Sequence, residues 1–159
     1  MSSSPKTNRH QPPLEDQVFV AVLKAADHLG QQAEQFLKSH GLTGTQYNVL
    51  RILRGAGSDG LPCRYISDRM ISHDPDMTRL LDRMEKRGWI TRERQKDDRR
   101  VVKARISSTG LDILKKLDQP VHDVHQQQFE HMSASKLRQL AELLGECQKS
   151  APKEIREAS

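Results

Sequence analysis

At 159 residues, 35% of them hydrophobic, the chain carries enough apolar material for one domain-sized core. Its formal charge of +5 and sequence pI near 9.4 favour an acidic partner such as nucleic acid. No apolar run approaches the roughly 18 residues of a membrane span, the opening MSSSPKTNRHQPP lacks the apolar stretch of a secretory signal, and two distant cysteines, Cys63 and Cys147, make neither a disulfide framework nor a zinc site. The expected compartment is therefore the cytoplasm, with no membrane partner.

The Ser/Pro-rich residues 1–13 and the polar residues 150–159 have little to bury and read as frayed tails. From Leu14 onward, Leu14, Val18, Val22, Ala25, Leu29, Ala33 and Phe36 recur at helical spacing and predict a long first helix ending near His40 and Gly41. Thr43 followed by Gln46 has capping-box spacing, in which each side chain satisfies the other's backbone N–H, and Val49, Leu50 and Leu53 form the next buried stripe. Gly57, Asp59 and Gly60 break the chain. Pro62 suits the first turn of a short helix through Met70, where its missing N–H would be unpaired anyway. Asp74 and Pro75 form a cap and first-residue pair for a further helix, with Met77, Leu80, Leu81 and Met84 on one face and Asp76, Thr78, Arg79 and Arg83 mostly on the other. Gly88 stops it.

WITRER and VVKARIS then flank a charged turn, and Val102, Ala104 and Ile106 alternate with Lys103 and Arg105 as in a half-exposed strand, which predicts a hairpin. This segment concentrates the charge: Arg92, Arg94, Lys96, Arg99, Arg100, Lys103 and Arg105 stand against Glu93, Asp97 and Asp98, a net +4. A long helix follows through Leu111, Leu114, Leu117, Val121 and Val124, bent at Pro120 by the lost backbone hydrogen bond. A last one starts at Ser133 and carries Leu137, Leu140, Ala141 and Leu144.

The expected fold is mainly α with a small β-hairpin wing, a winged helix-turn-helix flanked by long N- and C-terminal dimerisation helices. Its predicted parts are an N-terminal dimerisation helix over residues 14–42, a DNA-binding lobe over 43–107 and C-terminal dimerisation helices over 108–149. In such a lobe the second short helix enters the major groove of double-stranded DNA. The outer helices are too long for a compact three-helix unit, so their apolar stripes call for a second copy of the chain. A two-fold axis would then set two reading heads about one DNA turn, ~34 to 36 Å, apart.

The stretches LTGTQYNVLRIL, MTRLLDRMEKRGWITRE and DRRVVKARISSTG resemble the multiple-antibiotic-resistance regulator (MarR) family over about residues 14–148. That family has an Arg-Leu-x-Asp recognition helix and an Asp-x-Arg wing, which fall here on Arg79 to Asp82 and on Asp98 to Arg100, with Arg99 between. The resemblance implies that Arg100 reaches into the minor groove and that Asp98 orients the wing by pairing with an arginine. An arginine in a narrow minor groove gains from the enhanced negative potential there. The candidate DNA-binding set is Asp76, Thr78, Arg79, Arg83, Arg94, Lys96, Asp98, Arg99 and Arg100.

Several of these residues have a second reading. The wing cations could protect a strand edge against pairing, and Arg79 and Arg83 could be intrahelical partners of Asp76, Asp82 or Glu85. Asp76 suits a helix cap better than an acceptor for a cytosine amino group, since a carboxylate facing a polyanion is otherwise awkward. The resemblance also implies a repressor released by a small aromatic or phenolic anion. His28, Gln32, Tyr47, Arg51 and His122 are the polar stripe residues able to hold one. Redox and metal responsiveness are alternatives on the same scaffold. The first helix, however, has no cysteine of the peroxide-sensing kind, Cys63 reads as an inert thiol, and His122, His125 and His131 do not share one helix face. No phosphate-binding glycine loop, nucleophile elbow or His-Glu-x-x-His motif occurs, so neither catalysis nor a cofactor is expected. A winged helix that binds protein instead of DNA is the remaining rival.

Overall fold

In the computed structural model, which describes residues 11–72, 74–95 and 100–149, the chain runs α1 (Leu14–Ser39), α2 (Gly44–Ala56), β1 (Leu61–Pro62), α3 (Cys63–Arg69), α4 (Met77–Lys86), β2 (Ile90–Arg94), β3 (Val102–Ile106), α5 (Ser108–Phe129) and α6 (Ala134–Cys147). This is the expected helical winged helix-turn-helix with one addition. Among the described residues the sheet has three antiparallel strands in the order β1-β3-β2, not two. Leu61 and Pro62 pair with Ala104 and Lys103. Pro62 therefore ends an edge strand and caps α3 instead of opening its first turn, and an edge strand tolerates the missing donor.

The described residues fall into two compact units that meet in sequence at Asp118 and Gln119. The first is built around α2, which packs against α1, α3 and β3. Both halves of its capping box form: Gln46 N donates to Thr43 Oγ1 at 3.2 Å and Thr43 N donates to Gln46 Oε1 at 3.0 Å. Glu34 adds an anion at this helix start, accepting from Gly44 N at 2.6 Å. Val49, Leu50 and Leu53 are fully buried, together with Ile66, Leu80, Leu81, Met84, Ile90, Ala104 and Leu114. Each large apolar side chain in this set stabilises the lobe by about 1.5–3 kcal/mol.

Two glycines let the wing sit tight on this core. Gly60 has φ +64°, and a Cβ there would strike the carbonyl oxygen of Ala104 and approach Arg105 Cγ to 2.6 Å. Gly110, in the first turn of α5, is buried where a Cβ would strike the carbonyl oxygen of Trp89 and lie 2.8 Å from Ile106 Cγ1. Farther along α5, Arg54 Nη1 donates to both oxygens of Asp118 at 2.9 and 2.8 Å, tying α2 to that helix. Arg87 spans from the end of α4 to Gly41, donating to its carbonyl at 3.1 Å while its guanidinium lies 4.7 Å from the Trp89 ring centre.

In the second unit, α5 continues through Pro120 to Phe129 and α6 starts at the predicted cap, Ser133 Oγ accepting from Lys136 N at 3.4 Å. No residue of α6 is fully buried, and Leu143 and Leu144 are exposed. The apolar stripe of α1 is likewise largely uncovered: only Leu37 is buried, while Leu14, Val18, Phe19, Val22 and Leu23 are open. No described helix is long and apolar enough to cross a membrane. Residues 1–10 and 150–159 of the expected tails lie outside the described residues.

Candidate nucleic-acid interface

Helix α4 separates its faces as its sequence dictates. Leu80, Leu81 and Met84 point into the core, and Thr78, Arg79 and Arg83 are exposed. Its start lies two residues later than the Asp74-Pro75 pair suggests. Asp74 Oδ1 accepts from Asp76 N at 2.9 Å and forms a turn ahead of the helix, while Asp76 is the cap, accepting from Arg79 N at 3.3 Å. Asparagine and aspartate favour such local backbone bonds in turns, and the second of two close aspartates takes the cap here. The other Asp76 oxygen lies 3.2 Å from Arg79 Nε. Arg83 makes no ion pair with a described residue and faces solvent.

The turn before α4 has an anchor that the sequence reading missed. Asn48 on α2 accepts from Ile71 N at 2.9 Å, so the segment between α3 and α4 is held from below. The neighbours of Asn48 at three and four residues along the helix, Gly44, Thr45, Arg51 and Ile52, form no pattern that signalled it.

The wing cations differ in what they reach. Register pairs Ile90 with Ile106, Arg92 with Ala104 and Arg94 with Val102, so Arg92 follows buried Ile90 on the core-side face. Its side chain is 21% exposed. Arg92 Nε and Nη2 donate to Glu85 Oε2 at 2.9 and 2.7 Å, its backbone N–H donates to Glu85 Oε1 at 3.0 Å, and Nη2 also donates to Asp82 Oδ1. These carboxylates, Glu85 first, hold the guanidinium charged beyond its ordinary range. Asp82 and Glu85 thus pair with the wing, and of the possible intrahelical pairs only Arg79 with Asp76 forms among the described residues.

On the opposite face Arg105 is also engaged internally, donating to Ser58 O at 2.9 Å and to Glu93 Oε2 at 2.9 Å. Arg94, at the open end of β2, and Arg100, before β3, are exposed. Of the predicted wing set, Lys96, Asp98 and Arg99 lie outside the described residues, and with them the expected pairing of Asp98. Ten charged residues among the fourteen at 92–105 gave no direct sign of which arginines turn inward; the alternation starting at Ile90 places Arg92 on the core side but does not separate it from exposed Arg94 two residues on.

The effector candidates come together only as local pairs. His28 and Gln32 approach to 3.1 Å on exposed α1, and Arg51 lies 6.0 Å from the Tyr47 ring centre on α2. His122 is exposed on the part of α5 that belongs to the second unit. An open groove along α1 is lined by Asp27, Gln31, Glu34 and Lys38 with Ala26 and Gly30, and by none of the five candidates. Cys63 is half-buried at the start of α3, where burial pushes its thiol up from the ordinary range. Little thiolate is then present at neutral pH, which makes it a poor oxidation sensor. Among the described residues no three His, Cys, Asp or Glu side chains are grouped to hold a metal ion.

The MarR family model matches residues 42–102, from the approach to α2 through the start of β3. Transcriptional repressor MprA of Escherichia coli strain K12 is 27% identical over 109 residues, 69% of this chain and 62% of MprA, so less than two thirds of that relative is matched. The homoprotocatechuate degradative operon repressor of Escherichia coli is 26% identical over 133 residues, 84% of this chain and 88% of that one. The crystal structure of a MarR transcription factor from Planctomyces limnophilus is 32% identical, covers 86% of this chain and 98% of its own, and superposes with a TM-score of 0.67. The first two of these are repressors by name and the third is a transcription factor. Lobe, wing and sequence likeness agree, and the chain belongs to the MarR family of DNA-binding transcription regulators.

Proposed function

We propose that this chain is a repressor that grips a pseudo-palindromic operator as a homodimer and is released by a small aromatic anion. The observation that carries the reading is the shape of the lobe: α4 presents Thr78, Arg79 and Arg83 on an exposed face, beside a wing whose outer cations include Arg94 and Arg100. In this reading α4 enters the major groove, with its first turn near phosphates and base edges, and Arg100 enters the adjacent minor groove. Asp76 acts as the helix cap. Lys96, Asp98 and Arg99 complete the wing contact.

The dimer reading is supported by α1, where Leu14, Val18, Phe19 and Leu23 are between 48% and 69% exposed, an apolar surface that a monomer leaves in water. Two relatives that are repressors by name support repression over activation. The effector reading is supported by the Tyr47–Arg51 pair, an aromatic face beside a guanidinium suited to an aromatic carboxylate. His28, Gln32 and His122 are its further candidates.

The test is a salt titration of duplex binding on a fragment that the protein itself recovers from random-sequence duplex. Log affinity should fall linearly with log salt, by roughly 0.9 per phosphate neutralised. Benzoate and salicylate are then added as probes of release. A winged helix that binds only protein would show little duplex binding at any salt.

A further inference from the structure

We propose that Arg92 is a positioning residue that fixes the wing to the recognition helix, so that Asp82 and Glu85 promote sequence-specific DNA binding although their charge opposes it. This rests on the DNA-binding reading above. The three residues form a bridge between α4 and the middle of β2, and the guanidinium lies between two carboxylates of the recognition helix. Glu85 alone receives three hydrogen bonds, one from the Arg92 backbone and two from its side chain. The backbone bond fixes the strand itself, and the side-chain bonds fix its angle to the helix. Charge-assisted forks of this kind are geometrically demanding, because an ammonium cannot reproduce them.

The leverage is large. From Ile90 to Gln95 the β2 arm spans ~16 Å at the rise of an extended strand. A swing of about 10° at its base would move the wing tip by ~3 Å, half of the ~6 Å width of a B-form minor groove. The wing lies beyond the bridge, and Arg94 and Arg100 depend on that angle for their reach. A single unit that reads both grooves needs such a fixed spacing, and non-specific attraction to phosphates does not.

Electrostatics and geometry predict opposite signs, which makes the proposal testable. Glu85→Gln removes a negative charge beside the DNA-binding face and by charge alone tightens binding to every duplex. Arg92→Lys keeps the cation and loses the fork. Both variants of the full chain are titrated by fluorescence anisotropy against the fragment recovered by the wild type and against a scrambled duplex of equal length and composition. Each variant is expected to weaken binding to the recovered fragment by about tenfold or more, in line with losing hydrogen bonds to a charged group, while scrambled duplex binds as before or tighter. Glu85→Gln protein that binds both duplexes as well as the wild type, or better, with an unchanged ratio overturns the proposal. Thermal unfolding checks each variant, and Asp82→Asn, which keeps the Glu85 bonds, replaces a variant that fails to fold and should show a smaller loss of the same kind. Exchange of the Arg92 Nε–H is followed by NMR in the wild type without DNA: slow exchange supports the bridge, and exchange as fast as that of exposed Arg94 overturns it. A wild type that prefers no duplex would instead overturn the DNA-binding reading, leaving the NMR result to judge the bridge.

Discussion

Replacing Asp76 by asparagine separates the two roles open to the residue at the start of α4. Its Oδ1 accepts from Arg79 N at 3.3 Å, and its Oδ2 lies 3.2 Å from Arg79 Nε. Asparagine caps a helix as well as aspartate does, so Asp76→Asn should hold stability within a few tenths of a kcal/mol, while Asp76→Ala loses the cap and about 1 kcal/mol. For a chain of this length that second loss lowers Tm by about 2–4 °C. The ion pair adds little, because its side chains are 78% and 48% exposed. Toward DNA the removed charge acts favourably: one unit charge about 7 Å from a phosphate repels it by roughly 0.6 kcal/mol in water. Asp76→Asn should therefore bind the recovered fragment equally well or up to about threefold tighter. An aspartate accepting from a cytosine amino group would lose about 1–3 kcal/mol on the same change. Anisotropy titration at one salt concentration, with thermal unfolding of both variants, decides between them. A loss of about tenfold or more in Asp76→Asn at unchanged Tm would refute the reading that Asp76 acts as a cap alone and would assign it a base contact.

Arg100→Ala should weaken binding to the recovered fragment by about 1–3 kcal/mol; unchanged affinity at low and moderate salt would remove Arg100 from the interface. Gly60→Ala forces a Cβ against the Ala104 carbonyl at φ +64° and should cost about 2–4 kcal/mol in urea unfolding. A cost below roughly 0.5 kcal/mol would mean that β1 does not pack as described. Burial raises the Cys63 pKa, so iodoacetamide at pH 7 should label exposed Cys147 well before Cys63. The sign on stability follows: the unfolded chain gives up the Cys63 proton first, and stability falls as pH rises above the unfolded thiol's pKa. Peroxide should leave duplex binding unchanged, and release that Cys63→Ser abolishes would restore the redox alternative.

Local chemistry made much of the lobe legible. Thr43 and Gln46 announced their reciprocal cap, Ser133 announced the start of α6, and Leu80, Leu81 and Met84 fixed the buried face of α4. Strand β1 was not legible, since two residues carry no periodicity and Pro62 suits a helix start as well as a strand edge. The α4 cap shifted from Asp74 to Asp76 because both residues are competent and the choice depends on how the preceding turn closes. In the wing, charge density hid the division of labour. Arg92 and Arg105 have the same composition signal as Arg94 and Arg100, and strand parity puts Arg94 on the same face as Arg92, so only the carboxylates and the carbonyl within reach, Asp82, Glu85, Glu93 and Ser58 O, tell the engaged arginines from the exposed ones. The effector residues were least legible, because polar residues at the rim of a helix stripe look alike whether or not they share a site.

The central claim is that α4 reads the major groove while the wing reads the minor groove beside it, in two copies related by symmetry. Chemical footprinting of the recovered fragment tests this directly. Dimethyl sulfate should be blocked at guanine N7 in two major-groove windows about 10 base pairs apart, with hydroxyl-radical protection of the minor groove flanking each. Arg100→Ala should erase only the flanking protection. A single asymmetric window, or protection confined to the minor groove, would contradict the account.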